Sequence, residues 1–268
     1  MTPKIIHCVW LGGAEKPPVV LKCMESWRRF CPGWEIREWG DDDMKRVENR
    51  YARDAYAHEK WAFASDYLRL RALNDFGGFY FDTDLEILKP IDEFLANDFT
   101  TGFIDRSPDV LLNMCFLGAA RGCEFVADML AEYDSLDFVL PNGELDQTPN
   151  VVRMARYLER RAGVRFADAR AQLSLGPGRT VYPAEFFNSA DGYAVHHYCA
   201  SWLDDWIRKL YFSFGRHKLV RFKLRKGRTS DFPAALPGEA VVASLRLGPR
   251  RRICLTRCAS ASSENMVK

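Results

Sequence analysis

No stretch of the chain reaches ~18 uninterrupted apolar residues, the length a membrane-crossing helix needs. No Cys-x-x-Cys pair occurs among the eight cysteines, at 8, 23, 31, 115, 123, 199, 254 and 258, so zinc-ribbon and zinc-finger spacing is absent. The first ten residues carry one Lys and an apolar run too short for a signal peptide. They read as a strand, and with no export signal the thiols are expected to be reduced core fillers in a cytoplasmic protein. Internal repeats and low-complexity tracts are also missing. At 47% hydrophobic and 28% charged residues, with 18 Gly and 13 Pro, the composition excludes collagen-like, coiled-coil and wholly disordered chains. A chain of 268 residues buries about 70–75% of its unfolded surface and folds without staples.

The formal net charge of +2 conceals an uneven distribution. Residues 206–268 hold 15 Lys/Arg against 3 Asp/Glu, and residues 1–205 hold 23 against 33. An acidic body argues against a broad nucleic-acid platform, and the basic end suggests something anionic beside it. Nine Lys/Arg and no acid lie between Arg208 and Arg228, interleaved with aromatics. Two readings stand for that stretch: a solvated helix pair, or a patch at 208–228 that meets an anionic membrane surface or a lipid-diphosphate-linked acceptor.

Along the chain, Lys4–Trp10 reads as a buried strand, Pro17–Phe30 as an amphipathic helix opened by Pro, and Trp34–Trp39 as a second strand. Asp41–Asp43 caps a short helix, and a longer one runs from about His58 to Phe76, ended by Gly77-Gly78. Strands are expected at 79–81, 99–104, 112–118 and 193–198, and helices at 123–133 and 149–161. The order implies an α/β fold, a single mixed sheet flanked by helices. Three regions follow: a catalytic domain at 1–205, a basic amphipathic helical extension at 206–228, and a weakly ordered tail at 229–268 with one strand at 239–245.

The segment with the clearest chemistry is Phe79-Tyr80-Phe81-Asp82-Thr83-Asp84. Its two carboxylates stand two residues apart at the end of a buried strand, where i and i+2 share a side if the strand continues. Hard oxygen ligands there suit Mg²⁺ or Mn²⁺, and open α/β sheets bind ligands beyond their C-terminal strand ends. An isolated Asp-x-Asp is more often a solvated turn. A calcium loop is excluded because its sixth position, which needs Gly, is Ile87. A phosphatase-type nucleophile is excluded because the motif follows some 80 residues of chain and lacks a small β-branched residue after it. On the preceding helix, Asp66 and Arg69 stand at i and i+3 and share a face. A charged pair on a largely apolar helix needs partners. His7 reads as a satisfied core histidine, and Asn113 and Asn150 read either as pocket-lining or as caps.

Taken together, Lys4-Ile5-Ile6-His7 with Trp10-Leu11-Gly12-Gly13, then Ala64-Ser65-Asp66-Tyr67-Leu68-Arg69, then Gly77-Gly78-Phe79-Tyr80-Phe81-Asp82-Thr83-Asp84, Leu88-Lys89-Pro90 and His196-His197-Tyr198 with Ser201-Trp202 resemble glycosyltransferase family 32. These are Asp-x-Asp sugar transferases, similar in fold to the catalytic domains of clostridial glucosylating toxins. The likeness covers roughly residues 3–205 in order. It implies a GT-A type nucleotide-sugar transferase fold, a UDP- or GDP-hexose donor, Mn²⁺ or Mg²⁺, and retention of anomeric configuration. By position, Trp10 would stack on the nucleotide base. Asp66 and Arg69 would hold donor hydroxyls and the phosphate side and carry the catalysis. Asp82 would contact ribose or sugar and help place the cation, Asp84 would ligate it, and His197 would be the late ligand, with His196 turned away. Trp202 would cover the diphosphate. The acceptor implied is a glycan or lipid-linked glycan in bacterial capsule, exopolysaccharide or lipopolysaccharide synthesis. The alternatives are an effector-like transferase acting on a protein hydroxyl and a non-catalytic nucleotide-sugar-binding scaffold.

Overall fold

A computed structural model describes residues 1–106, 109–163, 171–197, 222–227, 239–246 and 252–258. The chain divides into two compact units, Met1–Trp202 and Leu203–Lys268.

In the first unit, β1 (Ile5–Val9) leads through α1 (Pro18–Phe30) to β2 (Glu35–Trp39). Pro18 occupies the first helical turn of α1, where a missing N–H costs nothing. Trp27 of α1 is fully buried, and its indole N–H donates to Leu85 O at 2.7 Å. Short helices α2 (Asp41–Met44) and α3 (Arg50–Ala57) precede α4 (Trp61–Phe76), β3 (Gly78–Phe81) and β4 (Leu85–Ile87). After a 3₁₀ turn at Asp92–Ala96 come β5 (Phe99–Arg106), β6 (Asp109–Leu112), β7 (Phe116–Ala119) and α5 (Glu124–Glu132). Then follow α6 (Asn150–Ala162), β8 (Leu173–Ser174), β9 (Arg179–Tyr182), α7 (Ala184–Phe187) and β10 (Ala194–His196).

The strands form one mixed sheet in the order β2-β1-β3-β7-β5-β9-β8, with β6 paired to β5. Strands β2, β1 and β3 are mutually parallel; β3–β7 and β7–β5 are antiparallel. This is the mixed sheet flanked by helices that the sequence implies. A separate antiparallel pair joins β4 to β10. Because β1, β2 and β3 run the same way, Trp10, Gly40 and Asp82 emerge together at one sheet edge.

Two apolar clusters hold this frame. One gathers Tyr67, Leu68, Leu70 and Leu73 of α4 with α3, α5 and α6. The other gathers Trp27 and Met24 of α1 with Phe79, Phe81 and Phe116. Helix α4 lies deep in this packing: every residue from Phe63 to Leu70 is buried, including Asp66 and Arg69. Gly77 and Gly78 end it with φ of 67° and 105°. A Cβ on Gly78 would stand 2.5 Å from Ile5 O, so only Gly admits the close approach of β3 to β1. His7 is fully buried between a Gly77 carbonyl at 2.8 Å and the Trp39 indole at 3.2 Å, the satisfied core histidine expected. Burial holds its pKa below the ordinary value.

The second unit contains β11 (Phe222–Gly227), β12 (Glu239–Arg246) and β13 (Arg252–Cys258), an antiparallel sheet in the order β11-β13-β12. Two expectations are corrected here. The end of the basic helical extension at 206–228 is a strand, because Phe222 and Leu224 alternate with Lys223 and Arg225 at strand period. The tail expected at 229–268 carries two strands, with β13 pairing to both neighbours. The rest of 206–228 and Trp202 lie outside the described residues. No helix among the described residues is long and apolar enough to cross a membrane.

Candidate active site

Arg69 is the hub of the site. It is 6% exposed, and its guanidinium reaches five oxygens: Asp66 Oδ1 at 2.9 Å, Asp82 Oδ1 at 3.2 Å, Met114 O at 2.9 Å, Ser65 Oγ at 3.3 Å and Ser65 O at 3.5 Å. Its carbon lies 4.5 Å over the Tyr80 ring. Burial opposes the charge, but Tyr80, Asp82 and Asp66 outweigh it and raise the Arg69 pKa. The i,i+3 spacing on α4 aligns Asp66 with Arg69, and β3 delivers Tyr80 and Asp82 to the same place.

Asp66 is 7% exposed and receives a second bond, from Asn150 Nδ2 at 2.6 Å. Asn150 opens α6, so the side chain that read as cap or pocket lining orients a buried carboxylate. Burial pushes the Asp66 pKa up to about 7, against the pull of Arg69. Tyr80 donates its hydroxyl to Asp82 Oδ1 at 2.9 Å.

Asp82-Thr83-Asp84 is a turn and does not continue β3: Leu85 N donates to Asp82 O at 2.9 Å. The strand-parity premise for Asp82 and Asp84 is therefore corrected. The two carboxylates converge instead on His196. Its Nε2 lies 2.9 Å from Asp84 Oδ1 and 4.0 Å from Asp82 Oδ2. His196, expected to turn away, faces both carboxylates, and His197 faces Glu86. Val195 pairs with Glu86 in the β10–β4 register, and His197, two residues on, falls on that same side. His197 Nε2 bonds Glu86 Oε2 at 2.7 Å, and Lys22 closes on the same carboxylate at 3.0 Å. Burial works against a charge on His196, while Cys115 and Asp84 favour one, and the balance raises its pKa. Burial also works against the Glu86 charge, but Lys22 and His197 prevail and lower its pKa.

Cys115 is the residue the sequence reading missed. Its Sγ, an Asp82 carboxylate oxygen and a His196 nitrogen all lie within 4.8 Å of one another. Asn113 holds the thiol in place: its Oδ1 accepts from Cys115 N at 2.9 Å, Cys115 Sγ at 2.7 Å and Phe116 N at 3.2 Å. No spacing signal linked Cys115 to Asp82, because the antiparallel β3–β7 pairing brings them together.

Trp10 stands past the end of β1, half-buried, with its indole N–H on Ala14 O at 2.7 Å and Lys16 Nζ 5.6 Å from the ring centroid. Beside it, Gly12 donates its N–H to Asp41 Oδ1 at 2.9 Å. Trp61 packs so closely over Gly12 that a Cβ there would come within 2.7 Å of the indole.

The carboxylate–guanidinium cluster stands at the C-terminal ends of the parallel strands of a mixed α/β sheet, the place where open α/β sheets bind their ligands. Residues 17–100 match the family described as a glycosyltransferase sugar-binding region containing a DXD motif, a segment that holds Asp66, Arg69, Asp82 and Asp84. The similarity to that region is confined to residues 17–100, which span α1 to the start of β5. Among solved structures, it is similar to PaToxG glycosyltransferase, at 17% identity and a TM-score of 0.45, over 60% of this chain and 70% of that one. It is also similar to a glycosyltransferase involved in the glycosylation of the major capsid of PBCV-1, at 12% identity and a TM-score of 0.41, over 79% of this chain and all of that one. No curated protein sequence matches it.

Proposed function

We propose that the first unit is a divalent-cation-dependent, retaining glycosyltransferase that moves a hexose from a UDP- or GDP-sugar to a glycan or lipid-linked glycan acceptor. The observation that carries this reading is the single buried Arg69 bridging Asp66 and Asp82 at the sheet edge. The DXD region over residues 17–100 supports it.

The donor set fits Mn²⁺ or Mg²⁺. Asp82 and Asp84 present hard carboxylate oxygens within 4.0 Å of one imidazole nitrogen, His196 Nε2. Asp82, Asp84 and His196 would hold the ion, with His197 occupied by Glu86. When bound, the ion supplies neutralisation of the diphosphate that leaves as the sugar bond breaks.

Arg69 is fixed by its oxygen contacts, so its charge needs no reorganisation as negative charge develops on the leaving group. Asp66, aligned by Arg69 and Asn150, accepts hydrogen bonds from donor-sugar hydroxyls. Both of those donors engage Oδ1, which leaves Oδ2 to accept from the sugar hydroxyls. The acceptor hydroxyl then attacks from the leaving-group face, and configuration is retained. Trp10, half-exposed past β1, stacks on the nucleobase. Trp202 covers the diphosphate. The cationic stretch 208–228 meets an anionic membrane surface on the cytoplasmic side, and flotation with anionic liposomes at low salt tests that part.

A donor-hydrolysis panel tests the activity. UDP-glucose, UDP-galactose, UDP-N-acetylhexosamines and GDP-mannose are each offered with Mn²⁺ or with EDTA, and released nucleotide is read. Release from one donor, lost with EDTA, is expected. Absence of both release and nucleotide binding across the panel overturns the assignment.

A further inference from the structure

We propose that Asp82, Cys115 and His196 form a site for Zn²⁺ that shares Asp82 and His196 with the Mn²⁺/Mg²⁺ set, so that zinc excludes the harder ion. The competition rests on the transferase reading above; the zinc site itself does not.

The three ligand types are brought together by three separate elements. Asp82 follows β3, Cys115 precedes β7 and His196 closes β10. Their ligating atoms lie within 4.8 Å of one another. Tetrahedral Zn²⁺, with Zn–S of ~2.3 Å and Zn–N of ~2.0–2.1 Å, sets such atoms ~3.5 Å apart, so closure by ~1 Å completes the site. The surrounding bonds already aim the groups. Asp82 N donates to Cys115 O at 3.0 Å, which ties the two backbones together. Asn113 holds both the Cys115 N–H and its thiol.

The chemistry separates the two ions. Mg²⁺ and Mn²⁺ are served by carboxylates and gain little from a thiolate. Zn²⁺ takes sulfur, nitrogen and oxygen together and lies above Mn²⁺ in intrinsic affinity. Three protein ligands leave a fourth position, which Asp84 or water fills. On binding, Cys115 Sγ gives up its hydrogen bond to Asn113 Oδ1, and both the thiol proton and the imidazole proton that faces Asp84 are released to solvent. Asn113 Oδ1 keeps the N–H bonds of Cys115 and Phe116.

The test titrates the full chain with Co²⁺, a spectroscopic substitute for Zn²⁺. A near-ultraviolet sulfur-to-cobalt charge-transfer band with strong tetrahedral visible bands is expected in the unmutated protein and lost in Cys115→Ser. Competition against a chromogenic zinc chelator is expected to show Zn²⁺ affinity falling ~100-fold or more in Cys115→Ser, beyond the ~10–100-fold that outer-shell changes cost. Mn²⁺ affinity, read by electron paramagnetic resonance, is expected to fall far less. The unmutated protein is read first, so absence of the charge-transfer band overturns the zinc site whether or not the variant folds. A band that survives in Cys115→Ser also overturns it. A Cys115-dependent band without Mn²⁺-dependent nucleotide binding supports the zinc site and ends the transferase reading. The converse pair of results ends the zinc site alone.

Discussion

Asn150 Nδ2 lies 2.6 Å from Asp66 Oδ1, a bond between buried side chains that lie 84 residues apart in the sequence. Together with Arg69 it fixes the one carboxylate of α4 at the site. Hydrogen bonds to charged groups contribute ~1.5–3 kcal/mol, so Asn150→Ala is expected to weaken donor-sugar binding about tenfold or more. Isothermal titration with a nucleotide sugar and with the free nucleotide separates the effects. Loss confined to the nucleotide sugar is the expected result, because Asp66 is assigned to the sugar hydroxyls.

Removing Arg69 leaves Asp66 and Asp82 without their shared countercharge. Breaking a buried ion pair from one side costs ~3–5 kcal/mol. Arg69→Ala is therefore expected to lower the unfolding free energy by about that amount in a urea titration above the Asp66 pKa of about 7, where both carboxylates are ionised. Arg69→Lys keeps the charge but loses the fork that reaches Asp66, Asp82 and Met114 O together, and is expected to recover under half of the loss.

The histidines separate in the same way. His196→Gln is expected to weaken cation-dependent nucleotide binding at least tenfold, since His196 sits against both carboxylates. His197→Gln removes only a partner of Glu86, which retains Lys22, and is expected to change binding less than about twofold. Equal effects of the two substitutions would show that the Asp82–Asp84 turn is not where the cation binds.

Which parts were legible in the sequence follows from these contacts. Asp66 and Arg69 were readable because i,i+3 spacing on one helix fixes their common face, and Asp82 because a buried strand delivers it. The histidine choice was not. It depends on the turn at Asp82–Leu85, which interrupts the alternation that parity arguments require, and on the Val195–Glu86 register. Cys115 and Asn150 join the site through long-range pairing, β7 on β3 and α6 on α4, which leaves no local pattern. Strand β11 was missed for another reason: the i, i+4 spacing of Trp206, Leu210 and Phe214 carries a helical reading on into Phe222-Lys223-Leu224-Arg225, which itself alternates at strand period and pairs with β13.

Asp66 also imposes a pH dependence on stability. Burial raises its folded pKa from the ordinary 3.8 to about 7, so between those values the folded chain binds a proton that the unfolded chain has lost. Stability from this group is full below the unfolded pKa and declines as pH rises through the folded one. Asp66→Asn removes the titration. The stability of the unmutated protein relative to this variant is expected to fall steadily between pH 4 and pH 7 in paired denaturant titrations. A difference independent of pH would show that Arg69 and Asn150 hold Asp66 ionised throughout.

The most direct measurement is nucleotide binding by the unmutated protein and by Asp84→Ala, each with Mn²⁺ and with EDTA, alongside a thermal melt. Asp84 stands in a turn at the strand end and outside both apolar clusters, so its removal is expected to leave the fold in place at the cost of its bond to His196. The account predicts Mn²⁺-dependent binding of UDP or GDP by the unmutated protein, lost in a variant that still melts cooperatively. Equal Mn²⁺-dependent affinity in both proteins would contradict it.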